Sequence, residues 1–245
     1  MDIPRDIREG EEFSLDELKK YLSENNISAE DLSLKQFPSG YSNLTYFLQS
    51  SSKQFVLRRP PFGAKSLQGG HDMFREYNVL KNLKSQFSKV PNVFLYCDNN
   101  EILGAPFYLM ERVEGYIIRP NLQQKDSPGS DIIQNVSKSL VSTLVELHNV
   151  NIEKANLKDL GNINGYVKRQ VEGWIKRYDH SKTDNISNMD FISSWLYENQ
   201  PSEVGSSIVH NDFKYDNLVL DKDDFSKISA VLDWELATLG DPLAD

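Results

Sequence analysis

The apolar spacing of this chain changes character once, and that change limits the folds open to it. Between residues 33 and 113 hydrophobic and aromatic side chains come in short runs: Leu44 to Leu48, Phe55 to Leu57, 93–97 and 107–113. Polar or proline-containing turns separate them, such as residues 50–53 and Pro60-Pro61. This is strand patterning, and a proline pair ends a strand because it cannot donate to the ladder. Residues 71–87 interrupt it, with Met73, Tyr77, Leu80, Leu83 and Phe87 on one helical face. From about residue 131 the helical period takes over. Ile133, Val136, Leu140, Leu144 and Leu147 form one stripe, and Ile163, Val167, Val171, Trp174 and Tyr178 another; a third helix surrounds Phe191, Trp195 and Leu196. Strands first and helices after predict an α+β protein of two lobes meeting near residues 110–115. The N-lobe, 1–113, has a leading helix opened by the capping box Ser14-Leu15-Asp16-Glu17, a small antiparallel sheet and one inserted helix. The C-lobe, 114–245, is mainly helical.

One stretch of the second half breaks the helical pattern. It begins His210-Asn211-Asp212-Phe213-Lys214-Tyr215-Asp216-Asn217 and runs into a hairpin with arms 217–220 and 228–232 and an acidic turn at 221–224. Asp233 follows directly. The spacing H-x-D-x-x-x-x-N is that of the catalytic loop of kinase-like enzymes. In such a loop Asp212 would orient an acceptor hydroxyl and take its proton. Asn217 and Asp233 would offer an amide and a carboxylate oxygen to magnesium, a hard ion that takes few protein ligands. The alternative for Asp233 is a strand-end carboxylate capping a turn, but a carboxylate straight after Val231-Leu232 is expensive to desolvate without a partner. His210 is expected to brace the loop by hydrogen bonding.

Composition removes several partners. A net charge of −9 over 245 residues argues against nucleic acid or an anionic membrane. No run approaches the ~18 apolar residues of a membrane helix. Cys97 is the single cysteine, so no intramolecular disulfide can form, and a cytoplasmic home is expected. Cys97 lies in an apolar run and reads as a buried structural thiol.

Further pieces align in order with the motif: Gly40-Tyr41-Ser42-Asn43-Leu44-Thr45-Tyr46, Phe55-Val56-Leu57-Arg58-Arg59-Pro60-Pro61, Arg75-Glu76-Tyr77, Tyr108 to Gly115, Leu232-Asp233-Trp234-Glu235 and Asp241-Pro242-Leu243-Ala244-Asp245. Together they resemble the aminoglycoside phosphotransferase and choline kinase group over roughly residues 30–245. Within that group the chain is most similar to the kinase-like domain fused to some acyl-CoA dehydrogenases. The resemblance implies a protein kinase-like two-lobed fold. It also implies transfer of the γ-phosphate of ATP, with GTP possible, to a hydroxyl of an aminoglycoside-, choline- or hydroxyacyl-type small molecule, with Mg2+. Arg58 stands where protein kinases place the phosphate-gripping lysine, and Glu76 is its candidate ion-pair partner. Ser42 and Asn43 belong to the phosphate loop. Glu111 and Val113 face the adenine with backbone groups from the hinge. Lys214 would neutralise the transferred phosphate; a solvated lysine is the alternative.

Three departures from the family pattern stand out. Asn211 replaces the commoner glycine, which predicts a restricted loop backbone. The phosphate loop carries one glycine. Asp241-Pro242 announces a helix, yet the chain ends three residues later, so a C-lobe lacking its last helices is expected. That early end keeps open a non-catalytic nucleotide-binding module. A protein kinase is disfavoured, because Asp233-Trp234-Glu235 replaces D-F-G and twelve residues leave no room for an activation segment. Trp174, Tyr178 and Trp195 are expected in the core, and His148 as a helix C-cap. The oligomeric state is not legible.

Overall fold

The computed structural model describes residues 3–38, 42–51, 53–64, 69–119 and 129–245. The chain opens with α1 (Leu15–Glu24), whose N-cap Ser14 hydroxyl accepts from the Glu17 amide at 3.3 Å. There follow β1 (Ser33–Gln36), β2 (Leu44–Gln49), β3 (Gln54–Arg59), α2 (Met73–Leu83), β4 (Val93–Cys97), a single turn α3 (Asn100–Leu103) and β5 (Phe107–Glu111). The strands form one antiparallel sheet in the order β1-β2-β3-β5-β4.

Both faces of this sheet are covered, which is why its strands read as continuous apolar runs rather than alternating ones. On one face Tyr46, Leu48, Phe55, Leu57, Phe107 and Leu109 pack with Leu18 and Leu22 of α1. On the other, Val56, Tyr108 and Met110 pack with Val79, Leu80 and Leu83 of α2. Arg58 lies two residues from Val56 and pairs with Tyr108, so strand periodicity turns it onto this second face, beneath α2.

The second half carries α4 (Ser130–His148), α5 (Tyr166–Ser181) and α6 (Met189–Glu198). Two small ribbons follow. β6 (Ser207–Val209) pairs with β9 (Thr238–Gly240), and β7 (Leu218–Leu220) with β8 (Ile228–Val231). The residues 210–217 bridge β6 to β7, and Asp233 sits just past β8. The result is the kinase-like two-lobed α+β fold.

The halves are joined by more than the chain. The backbone after β5 runs along β7, where Tyr116 N donates to Leu220 O at 2.9 Å and Leu220 N to Tyr116 O at 2.8 Å. A Cβ at Gly115 would lie 2.2 Å from Leu220 O, so only glycine fits this approach. Arg75 of α2 reaches across to the carbonyls of Leu160 (2.9 Å) and Ala237 (2.5 Å). A single apolar cluster runs from Val56, Leu80 and Tyr108 to Leu147, Ile208, Trp234 and Leu239.

Two expectations are overturned. Trp174 and Trp195 are 65% and 52% exposed, not core. Periodicity identifies a helix face, but α5 and α6 pack on each other and α6 buries none of its residues. The Arg177 guanidinium lies over the Trp174 ring at 4.7 Å. His148 is the last residue of α4, but its side chain is drawn away from the helix carbonyls to Asp245. Cys97 is buried as expected. Among the described residues no helix is long and apolar enough to cross a membrane.

Candidate active site

β6 delivers the chain into His210, whose ring is wholly buried and whose Nε2 meets Leu232 O at 2.9 Å. Burial holds this imidazole below its ordinary pKa, so it is neutral. Asn211 takes a positive φ of 65°, the left-handed conformation that glycine would adopt freely. Asparagine tolerates it, and here both ends of its amide are engaged: Oδ1 accepts from Tyr166 OH (2.8 Å) and Nδ2 donates to Leu236 O (2.9 Å). The expected restriction is thus a stabilised loop geometry rather than a different one.

Asp212 accepts from Lys214 Nζ at 2.8 Å and from Asn217 Nδ2 at 2.9 Å, both on Oδ2. Asn217 Nδ2 also donates to Asp212 O at 2.9 Å. Both amide hydrogens therefore point back at Asp212, and among the described residues no donor reaches Asn217 Oδ1. Across the cleft Arg58 donates to Glu76 Oε1 (2.6 Å), to Asp233 Oδ1 (3.0 and 3.1 Å) and to Glu235 Oε2 (3.1 Å). Asp233 itself has φ 69°. The three carboxylates keep the Arg58 guanidinium firmly charged against its burial. One cation thus faces three carboxyl groups, and burial pushes that of Glu76 up to about 7. Among the described residues no group of three His, Cys, Asp or Glu could cage a metal by itself.

Ser42, Asn43, Arg58, Glu111, Val113, Asp212, Lys214, Asn217 and Asp233 all line one cavity of about 430 Å³ between the halves, with Val56 and Met110 as apolar walls. Glu76 and His210 stand behind it, holding Arg58 and the loop. Gly40 and Tyr41 lie outside the described residues. At the hinge, the Glu111 amide donates to Asn92 O (2.8 Å) and its carboxylate accepts from Asn92 Nδ2 (2.5 Å). Among the described residues nothing takes up the Val113 N–H, and Val113 lines the cavity.

The profile of the phosphotransferase enzyme family matches residues 33–245. The chain belongs to that family. A relative, acyl-CoA dehydrogenase family member 11 of Rattus norvegicus, is 40% identical over 254 residues, covering 100% of this chain but 32% of its own length. The chain therefore spans about a third of the curated relative it matches. Among solved structures, a candidate aminoglycoside phosphotransferase from Ralstonia eutropha superposes with a TM-score of 0.79 at 30% identity, covering 95% of this chain and 68% of that one. The GDP complex of aminoglycoside 2'-phosphotransferase-IIIa shares the fold alone, with TM-score 0.69 at 16% identity over 94% of this chain and 75% of that one.

Three residues of this phosphotransferase-family site are not singled out by sequence reasoning. Asp245 accepts from the His210 and Asn211 amides, each at 2.7 Å, and from His148 Nε2 at 3.1 Å. Arg119 donates to Asp216 Oδ1 at 2.7 Å inside the catalytic-loop motif. Glu235 lines the cavity beside Asp233. Asp245 and Glu235 fall within motif pieces that match the family, and this is their only signal.

The buried His210 ring predicts a pH dependence. Above its ordinary value of 6.5 the imidazole is neutral whether folded or unfolded. As pH falls through that value the unfolded chain binds a proton that the buried ring resists, so stability is lost downward. The melting temperature should fall between about pH 7.5 and about pH 5.5, and His210→Asn should lose this component. Equal pH slopes in the two proteins would remove His210 as its source.

Proposed function

We propose that this chain is a magnesium-dependent small-molecule kinase that transfers the γ-phosphate of ATP, or of GTP, to an alcohol. The observation that carries the reading is the convergence of Asp212, Asn217, Asp233 and Arg58 on one cavity from separated parts of the sequence. Asp212 would hold the acceptor hydroxyl and accept its proton as the oxygen bonds to the γ-phosphorus and the bond to the β-phosphate oxygen breaks. Lys214, already on the Asp212 carboxylate, would neutralise the phosphoryl group in transit. Arg58, braced by Glu76, would grip the phosphates that remain on the nucleotide. Val113 N–H and the Glu111 carbonyl would receive the base between Val56 and Met110. In this reading residues 1–113 form the nucleotide-gripping lobe and 114–245 the catalytic lobe.

The residues present fit magnesium. Asn217 Oδ1 takes no donor among the described residues, and Arg58 engages only one oxygen of Asp233. Magnesium, when bound there with phosphate and water, supplies charge neutralisation to the nucleotide. Of the acceptor classes open, the relationship to acyl-CoA dehydrogenase family members puts a hydroxyacyl compound first, ahead of aminoglycosides and choline. Net charge −9 and a lone buried thiol suit a cytoplasmic enzyme free of nucleic acid and membrane.

The test is melting of the wild-type chain and of Asp233→Ala with magnesium-ATP and magnesium-GTP. A ligand that binds only the folded state raises the melting temperature. A rise in wild type that is lost in Asp233→Ala is the expected result. No rise with either nucleotide in a cooperatively melting wild type would overturn the proposal.

A further inference from the structure

Glu235 makes its side-chain contacts with residues of the first half of the chain. It sits two residues after Asp233 on the short helical turn Trp234–Leu236, and its side chain is only 10% exposed. It points away from its own half of the molecule. Oε2 accepts from Asn43 Nδ2 at 2.7 Å and from Arg58 Nη2 at 3.1 Å. Gly70 lies against its other oxygen, since a Cβ there would be 3.4 Å from Oε1.

Asn43 is the receiving end. It is 1% exposed and immediately precedes β2, so it is the root of the loop between β1 and β2. Its Nδ2 also donates to Gly70 O (2.5 Å), and its Oδ1 meets His71 Nδ1 at 2.9 Å. Every polar atom of the amide is therefore used, and one of its bonds crosses the cleft. A buried charge-assisted bond of this kind is worth more than an exposed one, and leaving either partner alone is costly.

We propose that Glu235 is a positioning residue of the nucleotide site. From the turn that carries Asp233 it fixes Asn43, so the phosphate loop and the metal-binding aspartate are held in one register before nucleotide arrives. Resting on the function proposed above, this gives Asp233-x-Glu235 a division of labour: the first carboxylate faces metal and phosphate, the second faces the loop that covers them.

The experiment compares wild type, Glu235→Ala, Glu235→Gln and Asn43→Asp, by two readouts. Calorimetry gives the dissociation constant for magnesium-ATP. Hydrogen exchange on the unliganded chain gives the protection of residues 42–48. Glu235→Ala should weaken binding about tenfold, the effect of one lost buried hydrogen bond to a charge, and speed exchange at Asn43 and Leu44. Glu235→Gln keeps an acceptor for Asn43 and should remain within about threefold of wild type. Asn43→Asp sets two carboxylates face to face and should behave like Glu235→Ala. Wild-type affinity and exchange in a folded Glu235→Ala would overturn the proposal. So would an Asn43→Asp variant that binds nucleotide like wild type. Asp233→Ala in the same series separates the two readings: nucleotide binding lost in Asp233→Ala but unchanged in Glu235→Ala leaves the kinase standing and removes the latch. A wild type with a protected loop and no nucleotide binding removes both.

Discussion

Replacing Asp212 by asparagine should lower the rate of phosphoryl transfer by about 10²–10⁴-fold, the usual worth of a positioned general base. Magnesium-ATP affinity should stay within a few-fold of wild type. The substitution is close to isosteric, and an asparagine Oδ1 can still accept from Asn217 Nδ2 and Lys214 Nζ, which both reach Asp212 Oδ2. Only the capacity to take the acceptor proton is lost. Steady-state kinetics with a hydroxyacyl acceptor would show the fall in kcat, and calorimetry the retained affinity. A variant that turns over like wild type would take Asp212 out of the chemistry. A wild type that binds nucleotide but transfers phosphate to no alcohol or water would point instead to a binding module.

Asp245→Ala should cost about 2–5 kcal/mol of stability, because it strips partners from several buried polar groups at once. The Asp245 side chain is 1% exposed, and its oxygens take up the His210 and Asn211 amides and His148 Nε2. Alanine leaves those two amides without their acceptor. Those hydrogen bonds also hold the Asp245 carboxyl below its ordinary pKa despite its burial, so it is ionised at neutral pH. Asp245→Asn should be intermediate, since one oxygen survives. Chemical denaturation reads the loss directly, and a change under about 0.5 kcal/mol would show that the loop is held by other means. Activity should fall further than stability alone explains, because Asp212 follows the two tethered amides.

Local spacing makes part of the site legible. Asp212 and Asn217 are five residues apart and meet through one turn, so the motif alone announces them. Arg58 and Glu76 meet because a strand and the helix after it share a face. The strands of the first sheet are readable because burial on both faces writes them as unbroken apolar runs. The ribbon β6–β9 is not: its arms are three residues each, about thirty residues apart, and neither has a period. Without that ribbon nothing in the sequence brings Asp245 beneath His210 or Asn43 opposite Glu235, a pair separated by 192 positions. Asn211 is misread when residue type is weighed without backbone geometry. The tryptophans of α5 and α6 are misread because a period marks a face without saying what covers it.

The apolar cluster that passes from Val56 and Tyr108 through α2 to Trp234 and Leu239 belongs to neither half. α2 is threaded with the first half of the chain, yet Arg75 and Glu76 bind carbonyls and an amide of the second. Severing the backbone at the hinge would leave two pieces, each with half an interior. The two halves are therefore expected to unfold together, in one transition rather than two.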